Sequence, residues 1–356
     1  MSIHLESPFN LSGLALKNRL VMAPLTRCRA IGNVANDLMA KYYAQRAEAG
    51  LIVAEGTAPS PNGLGYARIP GLFHTDHVVG WKKVTDAVHK AGSKIFVQLM
   101  HTGRVSQQLN LPVGARVLAP STIPLEGSMW TDQQGKQPYT PAIPMSDADV
   151  NATIGEYVHA GKLALEAGFD GVELHGANGY LIEQFLNPTT NTRSDAWGGD
   201  ATRRNAFALD IAKKLAQAIG PEKVGIRLSP YGVFNGQQPF VGLDEQYTEL
   251  ASGLSAIGLA YIHLVDHSAM GAPPVPAAIK QKIRTSFKQC LILCGGYNFQ
   301  SANADLAAEK ADLIAMGRPF IANPKLLTTL KSGAEQQVAD VETFYTADEK
   351  GYTTYN

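Results

Sequence analysis

Cysteine is scarce in this 356-residue chain, which has only Cys28, Cys290 and Cys294. Cys290 and Cys294 fall on one expected strand, where their spacing sets them ~13 Å apart, too far for a disulfide. A reducing, cytoplasmic setting is the natural expectation. Charge of one sign is also missing. Basic and acidic side chains number 31 each, for a formal net charge of zero. That leaves no electrostatic footprint for nucleic acid or an anionic membrane. No apolar run is long enough to span a bilayer. Met1 to Leu11 has no basic stretch followed by an apolar core, so no secretory signal is expected. No G-x-G-x-x-G follows a strand, which argues against a Rossmann dinucleotide domain. The strand ends carry neither a Schiff-base lysine nor a metal cluster. The expected partners are therefore small molecules, and the expected state is monomer or homodimer.

What is present suits one large α/β domain over residues 1–356, with 45% apolar and 17% charged composition. Eight short apolar runs alternate with helical patterns: Leu20 to Leu25, Leu51 to Ala54, Ile95 to Leu99, Val172 to Leu174, Val224 to Leu228, Tyr261 to Val265, Leu291 to Leu293 and Leu313 to Ala315. Strands buried on both faces lose their alternation and pair in parallel, so the pattern predicts a (β/α)₈ barrel. Asn10 to Asn18 reads as a hairpin turning at Ser12-Gly13 and plugging the barrel floor. Asn36 or Asp37, Asp76 and Ser146 are placed to cap helices. Thr102 to Pro144, rich in Pro, Gly and Ser, is a long excursion after the third strand, placed over the barrel mouth.

The chemistry concentrates where strands end. Gly168 to Tyr180 (G-F-D-G-V-E-L-H-G-A-N-G-Y) begins at a left-handed helix cap, crosses the fourth strand and delivers His175, Asn178 and Tyr180 to the rim. His and Asn can both donate to one oxygen, and Tyr can supply a proton. That set can polarise a carbonyl and protonate its α-carbon. Most of the other strands carry such residues at or near their ends: Pro24 and Thr26, Gln98 and Met100, Arg227, Asp266-His267, Gly295-Gly296 and Gly317-Arg318. Glycines and an arginine after strands seven and eight predict a phosphate site, because backbone N–H groups converge there.

These residues resemble the old yellow enzyme family of FMN-dependent ene-reductases over essentially the whole chain. The resemblance rests on N-R-L-V-M-A-P-L-T-R (18–27), Q-L-M-H-T-G-R (98–104), H-G-A-N-G-Y-L-I-E-Q-F-L (175–186), R-S-D-A-W-G-G (193–199), M-G-R-P-F-I-A-N-P (316–324) and G-Y-T-T-Y (351–355). It implies tightly bound, non-covalent FMN and NADPH or NADH as reductant. Pro24, Thr26, Ala58, Gln98, Arg227, Gly295, Gly296, Gly317 and Arg318 would hold FMN, with Thr26 at the carbonyl beside N5. His175 and Asn178 would grip the oxygen of an activated alkene and Tyr180 would protonate its α-carbon. Ala58, Tyr66, Met100, Phe344 and Tyr345 would line the substrate pocket. Met100 departs from the Trp of many relatives, which implies a wider, softer pocket.

Competing readings are a non-catalytic flavin-binding redox sensor and a flavin-free barrel lyase for a phosphorylated substrate. Blander readings also exist residue by residue. His74-Thr-Asp-His77 resembles a metal half-site but is read as a helix start with Asp76 as cap. Asp266-His267 takes a rim role, Cys28 points away from the site, Tyr42 and Tyr43 are core, and Asp170 and Glu173 are structural.

Overall fold

A computed structural model describes residues 3–355. Met1 and Ser2, where the stretch read for a leader begins, and Asn356, the end of the single expected domain, lie outside it. Eight parallel strands close into a barrel. They are β1 (Leu20–Met22), β2 (Leu51–Thr57), β3 (Lys94–Leu99), β4 (Gly171–Gly176), β5 (Val224–Leu228), β6 (Tyr261–Val265), β7 (Cys290–Cys294) and β8 (Leu313–Met316). β1 stops short of Leu25 because Pro24 has no N–H for the ladder. The connecting helices are α1 (Asp37–Gln45), α2 (Thr75–Lys90), α3 (Asp147–Glu166), α4 (Leu181–Leu186), α5 (Ala201–Ile219), α6 (Leu243–Ile257), α7 (Ala277–Ser286) and α8 (Phe299–Ala307).

The strand period of two sorts side chains between two environments. Val97, Leu99, Val172, Leu174, Ile226, Leu228, Ile262 and Leu264 join the core shared with the helices. Their neighbours Gln98, Glu173, His175, Arg227 and His263 point into the barrel. Registers Glu173↔Gln98, His175↔Arg227 and Arg227↔His263 bring these inward groups side by side. The floor is apolar. Leu11 and Leu16 of the hairpin, whose strands are Phe9–Leu11 and Leu14–Leu16, pack against Val21, Leu51, Phe96, Tyr261 and Leu313. Ser12 and Gly13 both take positive φ (48° and 99°), as a two-residue hairpin turn requires.

Helix starts follow the capping signals, with one correction. The Asn36 side-chain Oδ1 accepts from the Met39 N–H at 3.1 Å, and Ser146 and Asp149 form a capping box. Asp76, expected to cap α2, lies in its first turn instead. His74 is the extended residue at the helix entry, and its Nδ1 accepts from the Asp76 N–H at 3.3 Å. The Nδ1 of His77 accepts from the N–H groups of Phe73 and His74 at 3.2 and 3.1 Å. Burial pushes the His77 pKa down to about 4, which keeps the ring neutral and able to accept.

The 102–144 excursion folds into two small sheets. Leu118–Ala119 pairs with Ile143–Pro144, and Ser128–Thr131 with Gly135–Pro138. It backs one wall of the mouth through Leu111, Ala115 and Val117, against which Tyr66 and Tyr180 pack. It does not cover the mouth as expected, and none of its residues lines the cavity there. The C-terminal segment supplies Phe344 and Tyr345 to that cavity instead.

Candidate active site

A cavity of about 550 Å³ opens at the C-terminal ends of the strands. That size suits a cofactor with a small substrate. Of the residues singled out from sequence, Pro24, Thr26, Tyr66, Gln98, His175, Asn178, Tyr180, Arg227, Gly295, Gly296, Gly317, Arg318, Phe344 and Tyr345 all line it.

Two do not. Ala58 and Met100 sit in the adjoining apolar cluster with Cys28, Ile69 and Val117. The expectation for Met100 assumed that strand alternation carries on from Gln98. β3 ends at Leu99, so alternation no longer aims the next side chain. Met100 instead fills the space over Gly56, where an added Cβ would lie 2.6 Å from its sulfur. Cys28 keeps away from the cavity, as expected, and burial pushes its thiol up to about 12.

The rim loop after β4 is rigidly held. Asn178 adopts φ 60°, a left-handed conformation that Asn tolerates. Its N–H donates to Ser229 Oγ at 2.9 Å, and its carbonyl accepts from Asn235 Nδ2 at 2.8 Å. Ser229 in turn donates to Glu183 Oε1 at 2.6 Å, and the Gly179 N–H donates to Glu183 Oε2 at 2.5 Å. Glu183 lies in α4, whose six residues are all buried. Burial raises its carboxyl to about 7. The sequence reading passed over Glu183, and the acid at the fourth position of Tyr180-Leu-Ile-Glu was the only local signal for it.

The electrostatics of the three rim side chains differ. Burial, then the Arg227 charge, holds His175 well below its ordinary value, so it is a neutral imidazole. Its Nδ1 is buried without a partner among the described residues. Tyr180 hydroxyl lies 3.0 Å from Tyr66 hydroxyl, and its ring meets His175 edge-on at 4.8 Å. Burial pushes the Tyr180 phenol up to about 12, so its proton is in place at neutral pH. Asn178 Oδ1 lies 2.8 Å from His267 Nε2, which gives His267 a more specific role than the rim position expected for it.

Below them lies a buried polar layer. Gln98 Nε2 donates to Glu173 Oε1 at 2.8 Å, and His263 Nδ1 lies 2.9 Å from Glu173 Oε2. Glu173 was read as structural, like Asp170. It has these two partners because the strand turns it inward beside His175. Asp170 does play a structural part, accepting from the Ile95 N–H at 2.8 Å.

Arg227 is the odd group. It is 6% exposed, and among the described residues its Nε has no partner and its side chain makes one hydrogen bond, a 3.8 Å contact with Cys294 Sγ. A buried guanidinium without an anion is costly and awaits one. Nearby, Gly295 and Gly296 have φ of 153° and 63°. A Cβ on Gly295 would lie 2.5 Å from the Asp266 carbonyl oxygen, so only glycine fits. Exposed Arg318 stands on the same wall. An orphaned buried cation, with bare glycine backbone and a second arginine on the same cavity, fits an anionic ring joined to a phosphate, which is the shape of FMN.

A family model described as NADH:flavin oxidoreductase / NADH oxidase family matches residues 4–337. The chain belongs to this family. A probable flavin mononucleotide-dependent alkene reductase of Leishmania infantum is 37% identical over 355 residues, spanning 98% of this chain and 96% of the relative. The solved old yellow enzyme homologue from Zymomonas mobilis superposes with a TM-score of 0.95 at 37% identity, covering 99% of each chain. Morphinone reductase in complex with tetrahydroNAD superposes with a TM-score of 0.94 at 38% identity, covering 99% of this chain and 97% of its own. The chain is therefore an FMN-dependent oxidoreductase of the old yellow enzyme family, on that family's (β/α)₈ barrel.

One further framework was missed in sequence. Buried Arg29 donates to the carbonyls of Thr343, Phe344, Asp348 and Lys350. Arg27 donates to those of Phe344 and Gly351 at 3.1 and 2.8 Å. Tyr42, read as core, stacks on Tyr352 with centroids 3.9 Å apart. These groups hold the segment that brings Phe344 and Tyr345 over the cavity.

Proposed function

We propose that this oxidoreductase uses NADPH or NADH to reduce small electron-poor alkenes: α,β-unsaturated carbonyls, maleimides and nitroalkenes. The observation that carries the reading is the convergence of a neutral imidazole, an amide and a protonated phenol on the one cavity that also holds the orphaned Arg227. When bound, FMN would supply the hydride relay from the reduced nicotinamide to the β-carbon of the alkene.

The protein's own groups do the rest. Arg227 and Gln98 would hold the polar edge of the flavin, Thr26 would donate to its ring carbonyl, and Gly296, Gly317 and Arg318 would hold the phosphate. His175 and Asn178 donate to the carbonyl or nitro oxygen, where negative charge grows as hydride arrives. Tyr180 gives its proton to the α-carbon. With Tyr66 as donor in the tyrosine pair, the Tyr180 proton is free to face the substrate, and Tyr66 steadies the phenolate left behind. Phe344 and Tyr345 close the outer side and exclude water. One cavity serves both nicotinamide and alkene in turn, so kinetics are ping-pong and no separate nucleotide fold is needed.

The test is purification, FMN quantitation and turnover. Stoichiometric FMN, with NADPH or NADH oxidation matched by conversion of 2-cyclohexenone or N-ethylmaleimide to the saturated product, supports the reading. Bound FMN that the nicotinamide reduces but no alkene of the panel reoxidises points to a redox sensor and overturns it.

A further inference from the structure

His267 occupies the turn after β6 and lines the same cavity wall as Asn178. The two side chains are 89 residues apart in sequence, and their polar ends meet at 2.8 Å, Nε2 to Oδ1. The Phe234 ring backs the imidazole with centroids 4.4 Å apart, which fixes its plane. Asn178 is already pinned at its backbone N–H and C=O, so its remaining freedom is rotation of the side-chain amide. That rotation matters chemically. One orientation offers the cavity an NH₂ donor and the other offers a carbonyl acceptor. Only the first is attracted to a carbonyl or nitro oxygen gaining negative charge; the second repels it.

We propose that His267 is a positioning residue: its Nε2–H holds the Asn178 carbonyl and so turns the Asn178 NH₂ into the cavity, fixing the site as a donor pair for anionic or carbonyl oxygen. The proposal rests on the reading that Asn178 binds the substrate oxygen. Burial, then the Arg227 charge, pushes the His267 pKa down to about 4, so the ring is neutral and carries a single N–H. A neutral imidazole facing a carbonyl oxygen places that proton on Nε2. The specificity that follows is for ligands whose bound atom accepts hydrogen bonds, such as phenolates, enones and nitroalkenes. Ligands presenting a donor at that point are disfavoured.

The test is a double-mutant cycle on the FMN-loaded protein, read as the dissociation constant of para-chlorophenol. His267→Phe keeps a ring against Phe234 and removes the donor. It is expected to weaken phenol binding about tenfold, the scale of one charge-assisted hydrogen bond. His267→Gln, which restores an N–H donor, is expected to recover most of that loss. In an Asn178→Ala background, His267→Phe is expected to change the affinity less than about twofold, because the amide it orients is gone. FMN content and thermal melting of each variant report folding separately. Equal weakening by His267→Phe with and without Asn178 would overturn the positioning role. Asn178→Ala that leaves phenol affinity unchanged while His267→Phe lowers it would instead overturn the reading beneath it.

Discussion

Among single residues, Tyr180 is the one that, in the proposed mechanism, divides the two halves of the reaction. Tyr180→Phe removes the acid and leaves hydride transfer from the nicotinamide intact. Flavin reduction should proceed at close to the wild-type rate, while reoxidation by simple enones slows by ~10²–10⁴, the usual worth of a general acid. Tyr66→Phe should act in the same direction but less strongly, because the acid remains and only its support is lost. Stopped-flow traces showing equal losses in both half-reactions would remove Tyr180 from this role. Arg227 gives a prediction about binding. Its buried guanidinium has an unpartnered Nε and no salt bridge among the described residues. Arg227→Met should therefore raise the apo melting temperature and weaken FMN by ~10–100-fold, the loss of one or more charge-assisted hydrogen bonds. Melting curves with and without FMN read both effects. A less stable apo variant with unchanged FMN affinity would show that Arg227 serves the fold alone. Met100→Trp belongs to a different class from the pocket-widening role expected of it. In this packed cluster over Gly56 the larger ring overfills the core at a cost of ~1–3 kcal/mol. Any change in product stereochemistry should then come with a lower melting temperature.

At the scale of the elements, the barrel was legible because its signal is periodic and local. The eight apolar runs, the hairpin turn and two of the three caps followed from spacing and residue type. What escaped has a physical pattern. α4 is six residues long and buried on every side, so it has no polar face to mark it. His267, Arg27 and Arg29 act through partners far away in sequence, and Glu183 through Ser229 as well as its neighbour Gly179; the distant partners are not announced locally. The motif residues His175, Asn178 and Tyr180 stood out because strand, loop and helix start place all three within six positions. The C-terminal segment yields an element-scale prediction. Arg29→Met removes donors to four of its carbonyls, buried contacts whose loss should cost ~3 kcal/mol or more. The segment bearing Phe344 and Tyr345 should loosen, KM for alkenes should rise more than kcat falls, and limited proteolysis should cut beyond residue 340. Unchanged proteolysis and KM would show that the remaining contacts suffice.

The whole molecule carries several buried titratable groups whose pulls oppose one another. His77, His101, His175 and His267 are all lowered, chiefly by burial, to about 4, about 3, well below the ordinary value, and about 4. Below pH 6.5 the unfolded chain takes up protons that these folded rings refuse, so each contributes stability that is lost as pH falls. Glu55 and Glu183 are raised to about 7 by burial. Between pH 4.5 and 7 the folded state keeps protons that the unfolded chain releases, so each loses stability as pH rises. Glu156 is raised by burial as well. The four lowered histidines outweigh the three raised carboxyls up to pH 6.5, and above it the raised carboxyls and His263, whose pKa is raised with Glu173 beside it, lose stability as pH rises. The melting temperature should rise from pH 4.5, pass a maximum near 6.5 and flatten or decline slightly beyond 7. A maximum near pH 5 with a steady fall to 6.5 would contradict this balance.

The central claim is that this cavity adds hydride to an alkene rather than to a carbonyl, with His175 and Asn178 holding the oxygen and Tyr180 supplying the proton. The most direct measurement is the position of deuterium in the product of 2-methylcyclohexenone, using reduced nicotinamide labelled at the transferred hydrogen in ordinary water and, separately, unlabelled nicotinamide in heavy water. The account predicts a saturated ketone with the nicotinamide label at the β-carbon and the solvent label at the α-carbon. An allylic alcohol carrying the nicotinamide label at the former carbonyl carbon would contradict it.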